Sequence, residues 1–187
     1  MNLEDLIRER RSIRRRYKNL HVSQELVKAL LQRAEQLCPY EGEKRWRYVY
    51  VGTPEARNQL TDYMFEKMAD TKMARLMPGK LIESLKKRYA EVPATLIIIA
   101  ETDPDSHKRD EIYGTICSIM QNFQLLGWEQ RLGMLWNTES YIQNELFFKR
   151  IGIREKERFV GLLHIGYFHK TPRGRSRTPA ERKWTIL

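Results

Sequence analysis

The run Ile112-Tyr113-Gly114-Thr115-Ile116-Cys117-Ser118-Ile119-Met120-Gln121-Asn122-Phe123-Gln124-Leu125-Leu126-Gly127 decides the fold. Ile112, Ile116, Ile119, Met120, Phe123 and Leu126 recur at helical spacing, while Gly114, Thr115, Cys117, Ser118 and Gly127 add small residues. The pattern predicts a helix over 110–131. A helix with so little polar surface belongs at the centre, packed by other elements or by a partner subunit. Upstream, Thr95 to Ala100 is a continuous isoleucine-rich run, as expected of a strand buried on both faces. Downstream, Phe159 to Phe168 reads as another strand with apolar positions on both faces.

Farther out, residues 3–10 read as a short amphipathic helix with Leu3, Leu6 and Ile7 on one face and Asn2 as cap. A second helix starts at Ser23 and carries Leu26, Val27, Leu30, Leu31, Ala34 and Leu37 in register until Pro39 ends it. Arg14 to Val22 must then be a connection. Tyr48-Val49-Tyr50-Val51 reads as a strand, and Thr53-Pro54 as the start of a helix. Residues 55–90 are helical in pattern but polar, with a break at Pro78-Gly79. Thr138 is expected to cap a helix through Phe148. Strands alternate with helices throughout, so the class is α+β with a mixed sheet.

The 187 residues suit one domain, which buries roughly 70% of its unfolded surface. The longest aliphatic run, Leu96 to Ala100, is far short of the roughly 20 residues of a spanning helix. The N-terminus has no apolar signal region, and a cytoplasmic location is the default expectation. Cys38 and Cys117 match neither a disulfide scaffold nor a metal-knuckle spacing. The four histidines form no metal or triad pattern, and His164 is expected to be a packed or edge strand residue rather than a catalytic one. Asp103, Asp105 and Asp110 are expected to serve helix starts rather than a metal.

The net charge of +10 is local. Segments 8–18 and 170–183 hold thirteen basic residues and two acidic ones, so the remainder sums to −1. Within the first, Arg10-Arg11-Ser12-Ile13-Arg14 places guanidinium forks and a hydroxyl where they can converge on one small anion. The competing reading is a solvated basic face.

The same motif resembles the start of the nitroreductase family of flavoproteins, with Tyr17 as the following aromatic. Further resemblances follow in family order: Trp46-Arg47-Tyr48-Val49, Pro93-Ala94-Thr95-Leu96-Ile97-Ile98, Met120 to Leu126 with the glycine-containing turn Leu132 to Thr138, Gly161 to Tyr167, and Arg175-Ser176-Arg177-Thr178-Pro179. Together they span nearly the whole chain. The resemblance implies a single domain over 1–187 with a central, mixed but mainly antiparallel sheet. It implies a homodimer with FMN at the interface and a C-terminal strand, from Lys183 to Leu187, exchanged with the partner. It implies that Arg10, Arg11 and Ser12 bind the phosphate and ribityl chain, that Arg14 lies near flavin N1 and O2, and that Arg177, with Arg175, closes on the phosphate. Trp136, Asn137 and Thr138 would run past the isoalloxazine ring. Hydride would pass from NAD(P)H through flavin N5 to a nitroaromatic, quinone or similar acceptor, with no side-chain nucleophile and with Arg14 as electrostatic support.

The sequence departs from the family around the open face of the flavin. The loop Pro39 to Trp46 is one residue shorter and lacks the family's Asn and Gln, and Glu139 stands near a customary glycine. A flavin-binding or flavin-processing member with little reductase turnover is therefore one alternative. A nucleic-acid or acidic-partner binding protein using the same basic ends is another.

Overall fold

The structure, a computed structural model, describes residues 2–40, 42–66, 78–174 and 179–186. Strand β2 (Ala94–Glu101) is the expected central strand. Leu96, Ile98 and Ala100 face one layer and Ile97 and Ile99 the other, and each lies in a hydrophobic cluster. This is why the run is continuously apolar rather than alternating. β2 pairs with β1 (Trp46–Val51) on one side and β4 (Glu157–Tyr167) on the other, and β3 (Leu132–Asn137) adds to β4, giving the order β1-β2-β4-β3. All three pairings are antiparallel. Among the described residues the parallel part of the expected mixed sheet is the isolated bridge Ser12–Met134.

Helices cover both faces. On one lie α2 (Gln24–Gln36) and the long helix predicted above, which runs from Ser106 to Glu129 (α5 here). On the other lie α3 (Pro54–Glu66), α4 (Gly79–Ala90) and α6 (Glu145–Arg150). The piece of the polar 55–90 segment between α3 and α4 falls outside the described residues. Helix α1 (Leu3–Glu9) sits over a small third cluster of Leu6, Ile13 and Trp128. Asn2 and Ser23 cap α1 and α2 as expected, accepting from Asp5 N at 2.9 Å and Leu26 N at 3.2 Å.

Three local expectations are corrected. Helix α5 begins at Ser106, capped by Asp105, so Asp110 lies inside it rather than at its start. Leu132 to Asn137 is a strand rather than a turn; the chain reverses at Arg131, which takes a left-handed φ of 61° just past the helix end. Thr138 caps nothing: Ser140–Ile142 is a 3₁₀ turn, and Asn144 caps α6 by accepting from Phe147 N at 3.0 Å. In this single chain residues 184–186 form no strand, and Trp184 and Ile186 are 75% and 87% exposed. No helix among the described residues is long and apolar enough to cross a membrane.

Candidate functional site

The arginine motif is held as an arm along the outer edge of β3. The Arg11 guanidinium donates to Arg8 O and, at 2.9 Å, to Arg10 O, covering carbonyls left open at the end of α1. Ile13 N–H then donates to Met134 O at 3.0 Å. The Ile13 side chain, 1% exposed, is pressed onto Gly133, where a Cβ would come within 2.3 Å of it. Gly133 is what lets the arm lie this close. Tyr17 Oη donates to Ile13 O at 2.5 Å, and burial pushes its pKa well above the usual phenol range. Farther on, Lys18 N–H donates to Tyr167 O at 2.7 Å and His169 N–H to Arg16 O at 3.3 Å. The two ends of the chain are thus tied together beside the sheet.

Between them opens a groove of about 990 Å³ lined by Ile7, Ser12, Thr171, Pro172 and Gly174 with eight cations. These are Arg8, Arg10, Arg11, Arg14, Arg15, Arg16, Lys170 and Arg173, and none of the described lining residues is a carboxylate. Arg8 is partly neutralised by Glu4 at 2.8 Å and Asp5 at 3.5 Å. Gly174 lies against the Arg11 guanidinium, with space for a Cβ only 2.7 Å from Nη2. Arg11 Nε is buried without a hydrogen-bond partner among the described residues. A buried donor left open beside a groove lined by eight cations fits a bound anion.

Four of the residues expected to hold a cofactor, Arg10, Arg11, Ser12 and Arg14, therefore meet in one place. Arg175 and Arg177 lie outside the described residues. The sequence marks the segment from Lys170 to Lys183 as one side of an anion site by its basic count, but gives no individual role to Lys170, Thr171, Pro172, Arg173 or Gly174. Trp136, Asn137 and Thr138 do not line the groove but lie farther along the same β3 edge. Because Met134 O faces outward to Ile13, strand alternation turns the Trp136 N–H and C=O to that open edge too. The Trp136 ring packs against the core.

The Asn137 side chain points inward, so only its backbone could reach a ligand. Its Oδ1 accepts from Glu139 N at 3.1 Å, and its Nδ2 donates to Tyr141 Oη at 3.2 Å and contacts His164 Nε2 at 3.3 Å. His164 Nδ1 in turn lies 3.0 Å from Thr95 Oγ1, and Tyr141 Oη donates to Tyr89 Oη at 2.7 Å. This buried network joins β2, β4 and α4 to the segment after β3. His164 is the packed histidine expected from the sequence.

The network has a pH signature. Burial lowers the His164 pKa from 6.5 to about 4. Its contribution to stability is therefore complete above pH 6.5 and is lost as pH falls from there through 4. Glu157 behaves likewise at lower pH. The Arg47 guanidinium, donating at 2.7 and 2.8 Å, lowers its pKa from 4.5 to about 2, so its contribution is lost as pH falls from 4.5 through 2. Urea unfolding followed across this range should lose stability in two windows. His164→Gln should remove the upper one and Arg47→Met the lower; a His164→Gln profile parallel to wild type would refute the first assignment.

A sheet covered by helices on both faces, with segments from near both chain ends closing on one basic groove, defines an α+β protein with a groove suited to an anion. The sequence model of the nitroreductase family matches residues 7–167, and the chain belongs to that family. It is 28% identical to YfhC of Bacillus subtilis (strain 168), provisionally named an NAD(P)H nitroreductase, over 99% of this chain and 94% of that protein. The crystal structure of a nitroreductase-like family protein from Bacillus cereus is 34% identical, with a TM-score of 0.87 over 100% of this chain and 96% of that one. An FMN-bound nitroreductase from Bacteroides fragilis NCTC 9343 shares the fold, with a TM-score of 0.70 at 16% identity over the full length of both chains.

Proposed function

We propose that the protein is an FMN-dependent oxidoreductase that uses NAD(P)H to reduce a nitroaromatic, quinone or similar small acceptor. The observation that carries this reading is the groove in which segments near the two chain ends bring eight cations and Ser12 together beside the open edge of β3, with no carboxylate among its described lining residues. The groove fits the phosphate end of FMN. Arg10, Arg11 and Ser12 would hold phosphate oxygens, the orphaned Arg11 Nε among the donors. Arg14, exposed and without an ion-pair partner among the described residues, would set a positive charge near the pyrimidine edge. The Trp136 N–H supplies a fixed donor along the same edge. When bound, FMN supplies the hydride chemistry itself, which leaves orientation and electrostatics to the protein. No side-chain nucleophile is required.

A homodimer belongs to the same reading. The outward face of α5 exposes Gly114, Ser118 and Gln121, and Trp184 and Ile186 stand free at the C-terminal end. A second chain would cover these surfaces, and the expected strand exchange would use the last residues.

The test is direct. The purified protein should carry one FMN per chain, lose visible absorbance when NADPH or NADH is added without oxygen, and regain it with a quinone. A colourless protein that takes up no added FMN would sink the proposal.

A further inference from the structure

The groove holds more positive charge than one flavin phosphate uses. A phosphate monoester carries about two negative charges at neutral pH, and Arg10, Arg11 and Arg14 already answer it. Arg15, Arg16 and Lys170 line the same groove, and their side chains have no ion-pair or hydrogen-bond partner among the described residues. The His169 N–H to Arg16 O bond at 3.3 Å sets Lys170, the next residue, close to Arg16. Arg16 also has φ 63°, a left-handed conformation that a side chain adopts at a steric cost and glycine adopts freely. An arginine in such a conformation, beside other cations of the groove, points to a use for its charge. The groove's 990 Å³ is at the upper end of the roughly 300–1,000 Å³ of small-molecule sites, leaving room beyond one phosphate.

We propose that Arg15, Arg16 and Lys170 form a second anion subsite in this groove, which recognises the 2′-phosphate of the dinucleotide co-substrate and makes the protein prefer NADPH to NADH. The identity of the dinucleotide rests on the reading under Proposed function; the anion subsite itself does not. NADPH and NADH differ by that one phosphate, and guanidinium forks with an ammonium are suited to holding it.

The test uses the full-length protein as purified and the double variant R15Q/R16G. Glycine at 16 relieves the left-handed backbone, so loss of folding does not confound the variant. By calorimetry, 2′,5′-ADP should bind wild type at least about tenfold more tightly than 5′-ADP, which carries both phosphates at one end, and than inorganic phosphate. In the variant that preference should vanish while the flavin content per chain is kept. The ratio of kcat/KM for NADPH over NADH should fall by about tenfold or more. Equal binding of the three probes to wild type, an unchanged preference in the variant, or loss of FMN from the variant would overturn the assignment. A colourless wild type that still prefers 2′,5′-ADP would defeat the flavin reading and leave the subsite standing.

Discussion

With both Arg10 and Arg11 replaced by alanine, the protein is expected to purify without colour, its FMN affinity reduced by about 10²–10⁴-fold. A hydrogen bond to a charged group contributes about 1.5–3 kcal/mol, and each 1.4 kcal/mol is tenfold in affinity. Losing one from each arginine gives that range. Arg11 also donates to Arg8 O and Arg10 O at the end of α1, so its loss should cost about 1 kcal/mol of stability as well. Leu6 and Trp128 remain buried together beneath the helix and keep it in place. Arg11→Lys separates the two roles, because it retains the charge and loses the planar fork. Its affinity should fall between those of wild type and the double variant, read by quenching of flavin fluorescence. A yellow double variant with affinity within about threefold of wild type would remove these arginines from the phosphate site.

The second large effect links the core to the site. Gly133→Ala is expected to destabilise the protein by about 1–3 kcal/mol, the usual range for overpacking, and to weaken FMN binding although Gly133 touches no ligand. A methyl group there would lie 2.3 Å from Ile13 Cγ1 and 2.6 Å from a Phe168 ring carbon, so the arm carrying Ser12 and Arg14 must move off β3. Ile13→Ala should cost about 2–5 kcal/mol by opening a cavity at the same contact. Because each change makes room for the other, the double variant should lose less stability than the sum of the two. Urea midpoints for the four proteins test this. Strict additivity would show that the Ile13–Gly133 contact does not hold the arm.

Some parts of the molecule can be read from its residues and others cannot. The centre is legible because burial dictates composition: a strand covered on both faces is apolar on both, as Leu96 to Ala100 is. Caps are legible where a side chain serves its own helix, as at Asn2, Ser23 and Asp105. Strand β3 is not, because it is a short edge strand entered through an arginine in a left-handed conformation, where glycine or asparagine would have announced the turn. Thr138 is a plausible cap by type, but Asn144 sits where the first turn of α6 needs an acceptor. The basic motif Arg10 to Arg14, proposed to hold the phosphate, carries its own chemistry in five consecutive residues. Its wall at 170–174 depends on where β4 delivers the chain, and the network of Thr95, His164, Asn137, Tyr141 and Tyr89 on contacts made across the fold. Neither is written in local spacing.

We propose that the two basic ends of the chain form one pocket for the phosphate of FMN. Riboflavin is the same flavin without that phosphate, so parallel titrations of the flavin-free protein with FMN and with riboflavin test the claim most directly. The account predicts that FMN binds at least about 10²-fold more tightly, the worth of two charge-assisted contacts, and that the gap closes in the Arg10→Ala/Arg11→Ala variant. Equal affinity for the two flavins would contradict it.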